Sequence, residues 1–168
     1  MGHSQGGLMP RQYMKFNGGA SKVQKLITLG ATNHGTTVDG IAALGRDINN
    51  LGIDVLGVAQ LALGPAAIQQ IVGSDFLKNV NAGGDTLPGI DYTIIRTIYD
   101  EVSTPSQATF LTAGPGATVA NITLQDGCPI DHSDHLSMSY SPRAVSLIKR
   151  ALNPSAPLVC LPNAFLFG

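Results

Sequence analysis

The segment Gly2-His3-Ser4-Gln5-Gly6 dictates a strand, a tight turn and a helix within a few residues. In a Gly-x-Ser-x-Gly pattern the serine occupies the turn, and the glycines on either side leave room for its strained backbone. Its hydroxyl then projects where a base and a substrate can reach it. The helix that follows aims its N–H groups at the same point, which makes the amide of Gln5 an oxyanion donor. The plainer reading is a Gly-rich turn with a capping serine, since short Gly/Ser patterns recur by chance in a chain with 20 glycines. A strand should lead into Ser4, yet only Met1, Gly2 and His3 precede it. On this reading the chain is either the C-terminal half of a larger protein or is completed by another chain.

Beyond the turn, the sequence alternates between helical and strand patterns. Residues 5–17 read as a helix carrying Leu8, Met9, Tyr13 and Phe16, with Pro10 removing one hydrogen bond and Gly18-Gly19 stopping it. Lys25 to Gly30 is a short strand, ending in the loop Ala31 to Thr37. Asp91 to Ile98, mostly β-branched or aromatic, is a second strand that ends at Tyr99-Asp100, and Ala117 to Leu124 is a third. Ser74 caps a short helix running to about Val80, and Asp134 or Ser141 begins the helices near the end. Between 38 and 82 lies a stretch rich in Leu, Ile, Val, Ala and Gly, with helical spacing at Ile48, Leu51, Val55 and Val58. It reads equally as a lid or acyl-chain wall and as helices packed on the sheet, because amphipathic spacing does not separate the two. The whole is one α/β domain over residues 1–168, with 38–82 as a lid or cap segment.

Composition bounds the function classes. The 168 residues suffice for one sizeable core. Charged residues make up only 12% and hydrophobic ones 43%, with a mean hydropathy of +0.16, so large apolar faces are expected. A net charge of −1 without a basic cluster leaves no electrostatic footprint for nucleic acid. No apolar run is long enough to span a bilayer, and the first residues lack a signal-peptide pattern. Cys128 and Cys160 are either two buried thiols or a disulfide, their Pro-rich, loop-like surroundings favouring the bond.

A serine nucleophile needs a base and an acid placed after strands, and four histidines compete for the first role. His3 lies inside the turn, where its side chain points away from Ser4 and suits packing or hydrogen bonding. His34 follows the first strand in a loop that borders the expected cleft. His132 and His135 both follow the third strand, in the loop from Asp126 to His135. The acid should follow the preceding strand, which is where Asp100 stands; its alternative role is a turn-capping carboxylate. Ser4, Asp100 and His135 thus appear in the chain order Ser…Asp…His of α/β-hydrolases. The run Asp131-His132-Ser133-Asp134-His135 also holds oxygen and nitrogen ligands, but its spacing matches no usual zinc motif, so no metal is expected.

These residues resemble a family. Gly2-His3-Ser4-Gln5-Gly6-Gly7-Leu8-Met9-Pro10-Arg11, Leu29 to Thr37, Tyr99-Asp100-Glu101-Val102 with Thr104-Pro105, and Leu124-Gln125-Asp126 through Cys128-Pro129 to His135-Leu136 are similar to the secreted bacterial triacylglycerol lipases of class 2. The resemblance spans nearly the whole chain, but only the C-terminal part of such a lipase. It implies an α/β-hydrolase fold, hydrolysis of carboxylic esters without a cofactor, and a Ser4/Asp100/His135 triad. It favours His135 over His132, because His135 precedes the Leu-x-x-x-Tyr segment. It also implies a Cys128–Cys160 disulfide, export from the cell, and an acyl ester substrate met at a lipid–water interface. The chain departs from the family by lacking everything before the turn, including further strands and the second oxyanion donor. A sheet cut at that point has an exposed edge at Lys25–Leu29, which invites a homo-oligomer. Two competing readings follow: a self-associating fragment that keeps the triad residues without turnover, and a lipid-binding module using the 38–82 surface.

Overall fold

A computed structural model describes residues 1–50 and 64–166. Its centre is a four-stranded parallel sheet in the order β1 (Gly2–His3), β2 (Lys25–Leu29), β3 (Asp91–Arg96) and β4 (Thr118–Thr123). Parallel strands covered on both faces read as unbroken apolar runs rather than alternating ones. In β2 every residue after Lys25 is buried, and in β3 Tyr92, Ile94 and Ile95 are. By contrast, β4 reads Thr-Val-Ala-Asn-Ile-Thr, is largely exposed, and forms one edge of the sheet. β3 stops two residues short of the expected Ile98. There Thr97 Oγ1 accepts from the Tyr99 N–H at 3.2 Å and donates to the Ser133 carbonyl at 2.6 Å, turning the chain out of the ladder.

Side chains alternate across a strand, so the sheet sorts its own apolar residues into two layers. Ile27, Leu29 and Ile95 point to one face, under Met138 and the helix Pro142–Leu152 through Ala144 and Leu147. Leu26, Tyr92 and Ile94 point to the other, against Met14 of helix α1 (Gln5–Phe16) and Leu111. Each such side chain contributes roughly 1.5–3 kcal/mol on full burial. α1 stops at Phe16, one residue before the expected end, where Gly18 takes φ 73° and Gly19 donates back to the Tyr13 carbonyl at 3.1 Å.

The buried face of α1 differs from the expected one. Leu8 is inside, but Met9, Tyr13 and Phe16 are exposed, and the inward positions are Gly7, Leu8, Arg11 and Met14. The reason is polar: Arg11 reaches the Asn33 carbonyl, Asn81 and Asp85, so a cation occupies a core position on the helix.

The apolar stretch after residue 38 contains helix α2 (Val38–Asn50), helix α3 (Pro65–Ile68) and helix α4 (Asp75–Asn81), and the last helix is α5 (Pro142–Leu152). Ser74 caps α4, accepting from the Leu77 N–H at 3.3 Å, and Ser141 caps α5 by accepting from Ala144. Asp134 begins no helix: it lies in the loop before a short 3₁₀ turn (Ser137–Ser139) capped by Leu136, its carboxylate accepting from the Ser137 N–H at 2.7 Å. Leu77 and Val80 of α4 pack on Leu8, so this part of the stretch is core. The expected spacing at Leu51, Val55 and Val58 lies outside the described residues, as does the side chain of Ile48.

The tail after α5 is irregular but tied down. Cys128 is bonded to Cys160, 32 residues away in sequence. Asn163 accepts from the His132 N–H at 2.8 Å and donates to Ser133 Oγ at 2.9 Å. A loop of this length stabilises the folded state by roughly 3–4 kcal/mol in the chain-entropy model. Replacing both cysteines with alanine is therefore expected to lower the urea midpoint by an amount equivalent to that loss. Two thiols titrating in the native, non-reduced protein would contradict the bond.

Candidate active site

The carboxyl ends of the four strands lie side by side, and each candidate residue follows one of them. Ser4 directly follows β1, with φ 54° and ψ −133°, a backbone conformation costly for any residue with a Cβ. Its N–H donates to the Leu29 carbonyl at 2.9 Å, which fixes the turn to the end of β2. Although Ser4 stands at the N-cap of α1, its side chain makes no capping hydrogen bond, so the hydroxyl is not engaged by the helix. The glycines act differently from the pattern-based expectation. A Cβ on Gly2 would overlap the Gly6 carbonyl, whereas one on Gly6 would meet nothing within 4 Å. The second tight position is Gly7, where a Cβ would come within 2.5 Å of the Ala31 Cβ. Turn closure thus rests on Gly2, and helix-to-sheet packing on Gly7.

Asp100 and His135 form a buried pair, their side chains 0% exposed. His135 Nδ1 donates to Asp100 Oδ1 at 2.9 Å, leaving the Nε2 lone pair as the basic position of the neutral ring. The same oxygen accepts from the N–H groups of Val102 at 3.0 Å and Ser103 at 2.6 Å, which orients the carboxylate. Gly30, with φ 51°, lies against the pair. A Cβ there would come within 2.9 Å of Asp100 Oδ2 and 3.2 Å of His135 Nδ1. Two further contacts reach His135 from neighbouring elements: its N–H donates to Glu101 Oε2 at 3.2 Å, and its carbonyl accepts from His3 Nε2 at 2.8 Å. The rings of His3 and His135 lie 4.7 Å apart. Ser4 is the next residue in the chain after His3. Gln5 follows as the first residue of α1, and its side chain donates to the Ala66 carbonyl of α3 at 3.2 Å. The side-chain contacts of Glu101 and His3 to the His135 backbone carry no signature in the sequence.

The two other histidines are placed elsewhere. His132 is exposed, its ring packed with Tyr99 and Phe165. His34 faces the Ala108 carbonyl with Nδ1 at 3.0 Å and Asp85 Oδ1 with Nε2 at 2.9 Å. Both neighbours are acceptors, so the doubly protonated ring satisfies both. The Asp85 bond accordingly raises the His34 pKa, against the opposing effect of burial. Burial pushes the Asp85 carboxyl up, but His34, the Thr112 N–H and Arg11 outweigh it and hold it below its ordinary value.

Linkage fixes the sign of the consequence. A raised histidine pKa stabilises the fold fully below the unfolded value of about 6.5, and that contribution is lost as pH rises through the folded value. The depressed Asp85 contributes above about pH 3.9 and fades as pH falls through its folded value. Replacing His34 by glutamine is therefore expected to cost most stability near pH 5–6, and the difference from the parent should shrink towards about pH 8. Urea midpoints measured across that range check this; a difference that grows with pH would contradict it.

Among the described residues, no group of three or more His, Cys, Asp or Glu side chains is arranged to hold a metal, and no helix is long and apolar enough to cross a membrane. The architecture is similar to that in the crystal structure of Aspergillus fumigatus lipase B, with a TM-score of 0.70 and 24% identity over 94% of this chain. The chain has an α/β-hydrolase-like fold. It spans 37% of the length of that lipase. No protein-family model matches the sequence, and no curated protein does either.

Proposed function

We propose that this chain is a serine ester hydrolase, with Ser4 as nucleophile, His135 as general base and Asp100 as the acid that orients it. The observation that carries the reading is the buried His135–Asp100 pair at 2.9 Å, joined through the His3 contact to the strand that leads into a strained serine whose hydroxyl caps nothing. Neutral His135 takes the Ser4 proton at Nε2 as Oγ adds to the ester carbonyl. The oxyanion so formed accepts from the Gln5 N–H at the start of α1. His135 then returns the proton to the alkoxide, an alcohol leaves, and the acyl group stays on Ser4. Water, deprotonated by the same imidazole, releases the carboxylic acid and restores the serine. Asp100 stays ionised throughout and stabilises the imidazolium. No cofactor enters these steps.

The resemblance to secreted class 2 lipases, and a neighbour itself described as a lipase, support acylglycerols or short-chain esters as substrates. Val38, Ile68 and Val72 are each more than half exposed along α2, α3 and the turn after it. Gln5, the residue after the nucleophile, is bonded to Ala66 of α3, and an exposed apolar surface on these elements suits an acyl chain or a lipid–water interface. The Cys128–Cys160 bond suits an oxidising compartment and hence export.

A second reading, a self-associating fragment without turnover, draws on the sheet edge. β1 pairs with β2 only through Gly2 and His3, and no strand lies beside Lys25–Ile27 on that side among the described residues. A fluorophosphonate probe together with short and long p-nitrophenyl esters separates the readings. Labelling of Ser4 with ester turnover supports the hydrolase; an unlabelled, inert protein whose mass rises with concentration supports the fragment. Liposome binding that survives Ser4→Ala would point instead to a lipid-binding module.

A further inference from the structure

We infer that His3 is a positioning residue: its imidazole holds the backbone of His135 and so sets the distance between nucleophile and base. The kinetic consequence rests on the ester-hydrolase reading; the contact itself does not.

His135 stands in a loop between β4 and a short 3₁₀ turn, so no ladder or helix fixes its position. Three side chains contact it. Asp100 holds the ring, Glu101 accepts the backbone N–H, and His3 donates to the backbone carbonyl at 2.8 Å. Two of the three come from adjacent residues after β3. The third comes from β1, and it is covalently joined to Ser4. Fixing His3 to His135 therefore couples the strand that carries the nucleophile to the loop that carries the base.

The chemistry of the contact determines the form of His3. A carbonyl accepts only, so Nε2 must carry the proton, and the neutral ring keeps its lone pair on Nδ1. Burial, then the neighbouring His135, lowers the His3 pKa, which favours this neutral form. The two rings, 4.7 Å apart and tilted by 41°, also limit lateral movement of the His135 imidazole. Misplacement by about 1 Å at a reacting centre can cost on the order of 10² in rate.

Three variants separate the hydrogen bond from the ring contact. His3→Gln can place an amide N–H where Nε2 was; His3→Phe keeps a ring but no donor; His3→Ala keeps neither. Turnover of a p-nitrophenyl ester is expected to fall about 10- to 100-fold in His3→Phe and His3→Ala with KM little changed. His3→Gln should recover most of that loss. A readout independent of activity accompanies it: the downfield Nδ1–H proton resonance of His135, which reports its bond to Asp100. It should be sharp in the parent and in His3→Gln, and broadened by exchange in the other two. If the parent neither turns over esters nor reacts with a fluorophosphonate, the hydrolase reading falls, and the resonance alone judges the role of His3. A His3→Phe protein with parental turnover and a sharp resonance would overturn the inference. So would a His3→Gln protein as impaired as His3→Ala in both measurements.

Discussion

Replacing Ser4 or His135 with alanine is expected to remove ester hydrolysis almost completely, while His132→Ala keeps the larger share. In a serine protease with the same three groups, loss of the serine or of the histidine alone lowers turnover by about 10⁶. The expected loss here is of that order, limited by whatever background activity the assay detects. The fold should survive Ser4→Ala, because the residue holds the turn through its N–H to Leu29 and its hydroxyl caps nothing. His135 is fully buried, so His135→Ala also leaves a cavity, and its melting temperature must be measured beside its activity. His132 differs in kind: its side chain lies on the surface against Tyr99 and Phe165. An inactive His132→Ala with a tolerated His135→Ala would move the base to His132 and leave the Asp100 pair as structure.

Much of the fold was legible because it depends on local pattern. The runs read as strands over 25–30, 91–98 and 117–124 each hold an observed strand one or two residues shorter, and the helix after Ser4 stops at glycines that can take positive φ. The pairing of Asp100 with His135 was legible for a related reason. In a parallel sheet, every strand delivers its following loop to the same edge, so residues after β3 and β4 meet there. What escaped depends on partners remote in sequence. Arg11 is inside because Asn33, Asn81 and Asp85 meet it, and nothing near Arg11 announces them. His34 and Asp85 are 51 residues apart. The roles of Gly7 and Gly30 come from the close approach of Ala31 and of the Asp100–His135 pair, which spacing alone does not reveal.

Asp100→Asn is expected to lower turnover by between about 10² and about 10⁴, the range spanned by loss of general-base assistance and by loss of the correct tautomer. The structure indicates which end applies. If the new amide turned its NH₂ towards His135, Nδ1 would have to accept, the proton would move to Nε2, and the ring could no longer take the Ser4 proton. That is the larger loss, seen when the equivalent change is made in a serine protease. Here, however, the oxygen facing His135 also accepts from the N–H groups of Val102 and Ser103. Turning the amide would set its NH₂ against both donors, leaving them unsatisfied in a buried site at about 1–3 kcal/mol each. The amide oxygen should therefore stay at Oδ1, keep the tautomer, and forfeit only the negative charge that stabilises the imidazolium. Turnover is then expected nearer the 10² end, with the Nδ1–H resonance of His135 still present but shifted upfield. A loss approaching 10⁴ with that resonance gone would mean that the amide turns despite its two backbone donors. A loss below about tenfold would separate Asp100 from the chemistry altogether.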